Sequence, residues 1–388
     1  MYMKKISYGR QYITDEDIEA VVKVLNSDYL TQGPKIPEFE EAFAKKVGAK
    51  HAIAVSNGTS ALHISALSLG VKTGDNVIVT PMTFVASANC VRYCGGNVCF
   101  CDIDPDTFLI DIDKLRQMIT SKPKGYYKGV IFVDFAGYPV DSEAIRSICN
   151  DYGMWMIEDA CHAPGSYFID SKGNKQMAGN GVYSDLTVFS FHPVKHIATG
   201  EGGMITTNDD DLYYKLKCLR SHGICQDNNR LTRCPGNWYY EMQDLGFNYR
   251  ITDIQCALGI SQLKRLDWSL QRRQAIAAKY NEIFKNVSQI KTPKVAKNVF
   301  HAYHLYVIQT EKRNELFDYL QSINIIVQVH YEPVHLMPYY KNLGNKEGDL
   351  PVAENYSKHC FSLPMYPSLT DEEQDRVIDE INKFLNCK

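Results

Sequence analysis

Lys195 ends the run Leu186-Thr-Val-Phe-Ser-Phe-His-Pro-Val-Lys195 and leads into the glycine-rich Thr199-Gly-Glu-Gly-Gly203. A strand end crowded with Phe189, Phe191, Pro193 and Val194 can strip water from an ammonium, lower its pKa and leave an amine able to condense with a carbonyl. Such an amine does Schiff-base chemistry. A lysine after a strand can also be a plain solvated loop residue, and the rest of the chain decides between the two.

Two further constellations bear on that choice. Ser56-Asn-Gly-Thr-Ser-Ala-Leu62 puts small residues and hydroxyls where a strand turns into a helix, so that backbone N–H groups and the helix dipole converge on an anion such as a phosphate. It lacks the lysine and the length of a nucleoside triphosphate loop, and an ordinary helix cap is its other reading. Glu158-Asp-Ala-Cys-His-Ala-Pro-Gly165 places Asp159 directly after an apolar strand. That carboxylate either caps a helix or pairs with a protonated pyridine nitrogen, which makes the ring an electron sink. His162 then packs on the ring or orients Asp159. Phe84 covers the opposite face of the ring unless it belongs to the core.

These residues need a scaffold. Short apolar, β-branched segments at 51–56, 76–80, 98–103, 129–135, 154–158, 186–191 and 203–207 predict strands, and helical patterns at 59–70, 83–94, 111–120 and 141–152 separate most of them. The alternation predicts an α/β fold with a mainly parallel sheet and helices on both faces. Ligands in such sheets gather at the carboxyl ends of strands, where Ser56–Ser60, Thr80–Phe84, Asp134, Asp159 and Lys195 all fall. Residues 14–26 predict a helix capped by Thr14, with Ile18, Val21, Val22 and Leu25 as its buried stripe. From about Ile251 the texture changes to a helix over 251–287, a strand over 302–309, a helix over 312–322, a strand over 324–330 and a last helix over 370–386. The expected division is a large domain over 1–250, its N-terminal segment packing near the small domain, and a smaller C-terminal α/β domain over 251–388. Residues 225–245 lack periodicity and predict a mobile excursion.

Composition excludes several classes. The 388 residues carry a formal net charge of -3 with both signs mixed along the chain, so there is no basic field to attract nucleic acid. Neither an apolar leader nor an apolar run of about 18 residues occurs, which predicts a cytoplasmic protein without a membrane span. Of the twelve cysteines, Cys90, Cys94, Cys99 and Cys101 cluster, with Cys161 following later. Without a CxxC pair or zinc spacing they read as reduced thiols, and no metal site is expected.

Four motifs taken together carry a family resemblance. Asn57-Gly-Thr-Ser-Ala-Leu62, Glu158-Asp-Ala-Cys-His162, Ser190-Phe-His-Pro-Val-Lys195 with Thr199-Gly-Glu-Gly-Gly203, and Gly246-Phe-Asn-Tyr-Arg-Ile-Thr-Asp-Ile-Gln255 resemble, in order and spacing, the sugar-nucleotide aminotransferases of the DegT/DnrJ type. These are pyridoxal 5'-phosphate enzymes of fold type I, built on a mixed, mainly parallel seven-stranded sheet, and the resemblance covers nearly the whole chain. It implies that Lys195 binds the cofactor as an imine and moves the proton in catalysis. It implies further that Asp159 holds the pyridinium, that Phe84 and His162 bracket the ring, and that Gly58, Thr59 and Ser190 hold the phosphate. The family's active sites are shared across a homodimer, and Asn248 would reach the phosphate of the neighbouring subunit; a turn-forming Asn before a helix is its other reading. Arg250 is a free cation for a carboxylate or phosphate, or equally a surface or interface partner.

Softer signals point to one branch of that family. Ser7-Tyr8, Asp28-Tyr-Leu-Thr-Gln-Gly33, the His-Pro-Val-Lys form of the lysine motif and Gln328-Val-His-Tyr331 look most like enzymes that serve pseudaminic acid synthesis. By resemblance, Tyr8, Asp28, Tyr29, Leu30, Thr31, Gln328, Val329, His330 and Tyr331 contact the nucleotide sugar. The expected reaction moves the amino group of L-glutamate to C4 of a UDP-linked 4-keto-6-deoxy-N-acetyl hexose. Its rivals are a GDP- or dTDP-linked 4-keto or 3-keto substrate, a deoxygenating relative with His in place of the lysine, and a noncatalytic regulator. Lys195 argues against the second rival, and the intact cofactor motifs argue against the third.

Overall fold

The computed structural model describes residues 4–385. Helix α1 (Asp15–Leu25) forms where expected, with the Asp17 carboxylate accepting the Thr14 N–H at 3.0 Å. Its predicted stripe is not buried. Ile18, Val22 and Leu25 are exposed, and the helix docks instead through Asp17 and Val24. The cause is polar: Asp17 lies fully buried against Arg265 at 2.7 Å and Gln262 at 2.7 Å, which turns the apolar stripe outward. Helix α2 (Lys35–Val47) follows, and prolines at its start obscure its 3.6-residue pattern. Its first amides are met from far away in sequence, since Asp253 accepts the Gly33 and Lys35 N–H groups at 2.8 and 2.9 Å.

The central sheet then builds in chain order. It takes β1 (His51–Val55), β2 (Asn76–Val79), β3 (Asn97–Phe100), β4 (Tyr127–Val133) and β5 (Trp155–Asp159). A small antiparallel hairpin, β6 (Tyr167–Ile169) and β7 (Lys175–Met177), intervenes before β8 (Leu186–Ser190) and β9 (Gly203–Thr207). The spatial order is β1-β9-β8-β5-β4-β2-β3, with parallel pairing from β8 through β3 and antiparallel pairing of β9 to both β8 and β1. Period-two alternation sends neighbouring residues to opposite faces. Val130, Phe132 and Met156 pack under α5 (Ile112–Thr120) and α6 (Ser142–Tyr152). Ile131, Ile157, Val188 and Ile205 pack instead with α3 (Gly58–Ser68) and α4 (Ala86–Tyr93). Both faces are thus dry, which explains why these strands read as continuous apolar runs. Each such side chain contributes about 1.5–3 kcal/mol when fully buried.

After α7 (Asp210–Arg220), residues 225–245 are not structureless. The two-residue strands β10 (Ile224–Cys225) and β11 (Glu241–Met242) pair, and the Glu241 carboxylate accepts from the Thr232 amide and hydroxyl. Polar bonds replace an apolar face, so no periodicity marks the segment. The predicted helix over 251–287 is two helices, α8 (Asp253–Lys264) and α9 (Leu266–Phe284), joined at the Arg265 that binds Asp17. Strand β12 (Val299–Phe300) joins the β6–β7 hairpin, and β13 (Tyr306–Gln309) is shorter than predicted because Tyr303 adopts a positive φ of 46° just before it.

Helix α10 (Arg313–Ser322) forms as expected, but 324–330 is not a strand. Its residues pair singly with two different segments, Ile325 with Ile6 and Gln328 with Ser362, so no ladder develops. Helices α11 (Pro338–Lys341) and α12 (Pro351–His359) precede β14 (Cys360–Leu363), which pairs antiparallel with β13. Helix α13 (Asp371–Phe384) closes the chain, and the predicted residue 386 lies outside the described residues. Tyr280, Phe284, Tyr306, Leu316, Phe361 and Ile378 form a second core here. Among the described residues no helix is long and apolar enough to cross a membrane, and the cysteines are free thiols.

Candidate active site

A cavity of about 720 Å³ opens at the carboxyl ends of β1, β2, β5 and β8. Gly58, Thr59, Phe84, Asp159, His162, Ser190 and Lys195 line it, together with Tyr8, Gln328, His330 and Tyr331. The first turn of α3 forms one wall. Asn57 and Ser60 cap it reciprocally, with Asn57 Oδ1 accepting the Ser60 N–H at 2.7 Å and Ser60 Oγ accepting the Asn57 N–H at 3.1 Å. The amides of Gly58 and Thr59 have no intrahelical carbonyl within reach and remain available to an anion. A Cβ added at Gly58 would stand 3.0 Å from Ser190 Cβ and 3.5 Å from Cys161 Sγ. A side chain there would have to push Ser190 aside by a few tenths of an ångström.

No helix follows Asp159, which removes its reading as a helix cap. Its buried carboxylate accepts Ser87 Oγ–H at 2.6 Å and the Cys161 N–H at 3.1 Å. Ser87, from α4, also lines the cavity and pairs with Thr83 Oγ1 at 2.7 Å. Sequence reasoning missed it, because a single serine in Ala86-Ser-Ala-Asn89 carries no signal until α4 is laid beside β5.

Lys195 follows β8 in a tight turn in which its N–H donates to His192 O at 2.8 Å. Burial lowers the pKa of its amine, and the neighbouring Cys161 and Asp159 act in the opposite direction. Nζ lies 3.5 Å from Nε2 of His304, another cavity residue that sequence reasoning did not single out. His162 is buried with its ring centroid 4.4 Å from that of His304. Burial first, and then the Lys195 charge, holds the His162 pKa well below the usual range. Its Nδ1 accepts the Ala136 N–H at 3.2 Å, so the neutral ring carries its proton on Nε2 and donates to Tyr331 Oη at 3.2 Å. Burial likewise pushes His330 down to about 3, beside Tyr8 and bonded to Ser362 Oγ at 2.8 Å.

Several predicted residues stand elsewhere. Asp134, although at a strand end, does not line the cavity. It is fully buried near Glu158 with Oδ2 unpartnered among the described residues, and desolvation followed by repulsion from Glu158 raises its pKa well above the usual carboxylate range. Val329 packs into the apolar clusters while Gln328 and His330 face the cavity, as alternation in an extended segment requires. Asp28, Tyr29, Leu30 and Thr31 do not line this chain's cavity; Tyr29 and Leu30 are exposed, and Thr31 pairs with Thr252. Asn248 pairs with Ser221 and is also outside the cavity lining. Phe84 lines the cavity while 58% exposed, which rules out the core reading.

A lysine amine of lowered pKa, a buried carboxylate held by two donors and an anion cradle floored by a glycine packed closely on Ser190 suit the aldehyde, pyridine nitrogen and phosphate of pyridoxal phosphate. Fold and site together define an enzyme built to hold this cofactor. The model of the DegT/DnrJ/EryC1/StrS aminotransferase family matches residues 11–382, and the chain belongs to that family. It is 38% identical over 385 residues to the UDP-4-amino-4,6-dideoxy-N-acetyl-beta-L-altrosamine transaminase of Campylobacter jejuni, covering 98% of this chain and 97% of that one. It is 34% identical over 390 residues to the GDP-perosamine synthase of Caulobacter vibrioides, covering 99% of each. Among solved structures, Helicobacter pylori PseC, an aminotransferase involved in the biosynthesis of pseudaminic acid, superposes with a TM-score of 0.89 at 31% identity, over 99% of this chain and 100% of that one. The PLP form of the putative sugar aminotransferase Spr1654 from Streptococcus pneumoniae does so with a TM-score of 0.89 at 28% identity, over 99% of each chain. The protein is a pyridoxal-phosphate-dependent aminotransferase.

Proposed function

We propose that the enzyme transfers the amino group of L-glutamate to C4 of a UDP-linked 4-keto-6-deoxy-N-acetyl hexose of L-configuration, giving a UDP-4-amino-4,6-dideoxy sugar for pseudaminic acid and surface glycan synthesis in the cytoplasm. The observation that carries this reading is that Tyr8, Gln328, His330 and Tyr331 share one cavity with Lys195, so the branch motifs and the reactive amine converge. The likeness to the Campylobacter transaminase supports it. When bound, pyridoxal phosphate supplies an electron-accepting ring and a carbonyl that carries the amino group between donor and acceptor.

The chain's own residues do the rest. Lys195 Nζ takes a proton from the donor's Cα and later delivers one at sugar C4, a general acid/base role suited to an amine whose pKa burial has lowered. Asp159, held by Ser87 and Cys161, fixes the ring nitrogen. Gly58, Thr59 and Ser190 hold the phosphate, and Phe84 and His162 bracket the ring. Asn248 and residues 28–31, which lie outside their own chain's cavity, are assigned in this reading to the cavity of a second copy in a homodimer with shared sites. The large domain ends near residue 250, where the central sheet is complete.

A second reading is favoured by the GDP-perosamine synthase relatives, namely a GDP-linked 4-keto sugar. A glutamate-coupled assay across UDP-, GDP- and dTDP-linked keto sugars, with product stereochemistry by NMR, decides between them. The highest kcat/KM is expected on the UDP-linked N-acetyl sugar with amination at C4. A clear preference for a GDP-linked sugar, or amination at C3, overturns the branch assignment and leaves the aminotransferase chemistry standing.

A further inference from the structure

His304 is held from both sides of its backbone. Arg273, itself buried, donates from Nη1 to the carbonyls of Tyr303 at 3.0 Å, His304 at 3.3 Å and Met365 at 3.1 Å. On the other side Ala302 N–H donates to Gly137 O at 2.7 Å and Leu305 N–H to Ala136 O at 3.2 Å. Gly137, at a φ of 98°, permits that approach, since a Cβ there would stand 2.9 Å from Tyr303 N and 3.1 Å from His304 N. So much anchoring of a loop residue fixes where its ring points.

The ring points at the lysine. His304 is buried, its Nε2 is 3.5 Å from Lys195 Nζ, and its Nδ1 has no hydrogen-bond partner among the described residues. The contrast with His162 is informative. There an amide N–H onto Nδ1 fixes the tautomer, whereas at His304 only the lysine contact bears on it. The groups facing this pair are Asp159 and Cys161 beside Lys195, and His162, His196 and Arg273 beside His304. Burial first, and then the Lys195 charge, keeps the His304 pKa well below the usual range, so the ring stays neutral and can accept a hydrogen bond from a protonated nitrogen.

We propose that His304 is a positioning residue for transamination: its Nε2 accepts a hydrogen bond from the Lys195 ammonium whenever the lysine is free, holding that amine over the cavity between the two half-reactions. A neutral acceptor stabilises the charged form of the lysine, so His304 partly offsets the effect of burial and sets the pH at which Lys195 becomes a base. The inference rests on the assignment of Lys195 as the reactive lysine.

The test uses holoenzyme converted by excess L-glutamate, in which Lys195 is free. The pH dependence of Lys195 acetylation by acetic anhydride, read by mass spectrometry, reports the titration of that amine directly. His304→Phe should move the labelling midpoint down by about one unit, and His304→Gln, whose amide oxygen can accept, should stay near wild type. In turnover His304→Phe should lose kcat on the order of tenfold with KM little changed. Should the phenylalanine variant fail to fold, His304→Asn, too short to reach the lysine, takes its place and should show the same downward shift. A wild-type midpoint in the variant that lacks the contact, or equal shifts in it and His304→Gln, overturns the proposal. Loss of the glutamate response in wild-type enzyme would strike the transamination reading instead, whereas an unmoved midpoint with that response intact strikes His304 alone.

Discussion

Ser87 Oγ donates to Asp159 Oδ2 at 2.6 Å, joining helix α4 to the end of strand β5 beneath the cavity. Cys161 N–H supplies the second donor, at Oδ1, so the carboxylate has little rotational freedom. A buried acceptor that loses one of two donors both shifts position and keeps an unmet lone pair. Ser87→Ala should therefore lower kcat by about tenfold, consistent with roughly 1.5–3 kcal/mol for a hydrogen bond to a charged group. Ser87→Thr should recover most of the loss. Steady-state kinetics with glutamate and the keto sugar measures this, and an unchanged kcat in Ser87→Ala removes the role.

Lys195 should be indispensable. Wild-type holoenzyme should absorb in the visible and lose that band on addition of L-glutamate. Lys195→Ala should show no glutamate-dependent bleaching and no turnover. Asp159→Asn should fold and bind cofactor yet lose kcat more than substrate affinity, because the ring nitrogen loses its charged partner. Transamination at the wild-type rate by either variant contradicts its assignment.

The shared-site reading is tested by mixing subunits. Lys195→Ala and Asn248→Ala homodimers should each be inactive. In mixed dimers one site carries both lesions and the other neither, so activity should return toward about half per mixed dimer. If exchange is demonstrated by mass spectrometry and no activity returns, Asn248 does not serve the partner's site.

Acid should destabilise this protein early. Burial holds His162, His196, His301, His304 and His330 below their ordinary pKa, with His301 and His330 pushed down to about 3. In the unfolded chain these rings take up protons near pH 6.5, about the value of a free imidazole, while the native state refuses them. The stability they contribute is complete above that pH and is lost as pH falls toward the folded values. Tm by scanning fluorimetry should drop steadily from pH 6.5 to 4. A flat Tm over that window contradicts the burial of neutral rings.

The Asp134 and Glu158 carboxyls carry the opposite sign. Both pKa values are raised, chiefly by burial, so the native pair keeps a proton that the unfolded chain releases above about pH 4. Stability from this pair therefore falls as pH rises. Asp134→Asn can keep the bond from Val140 N–H to Oδ1, now at 2.9 Å, while donating to Glu158. Its Tm relative to wild type should rise between pH 5 and pH 8, and a difference independent of pH argues that no proton is shared.

Local order by itself determined much of this protein. Short continuous apolar runs located all seven strands of the central sheet within a few residues, because strands buried on both faces must be apolar throughout. Motif spacing likewise pointed to Lys195, Asp159 and the α3 turn, each bound to a strand end by a handful of intervening residues. Non-local pairing decided the rest. The stripe of α1 faces outward because Arg265, about 250 residues away, claims Asp17, and no periodicity within α1 encodes that partner. Residues 324–330 look like a strand but meet two different partners, so their pattern survives without a ladder. Ser87 and His304 joined the site only when α4 and the loop before β13 were packed beside β5 and Lys195. A lone serine or histidine acquires its chemistry from what stands within about 3 Å of it, and folding sets that distance.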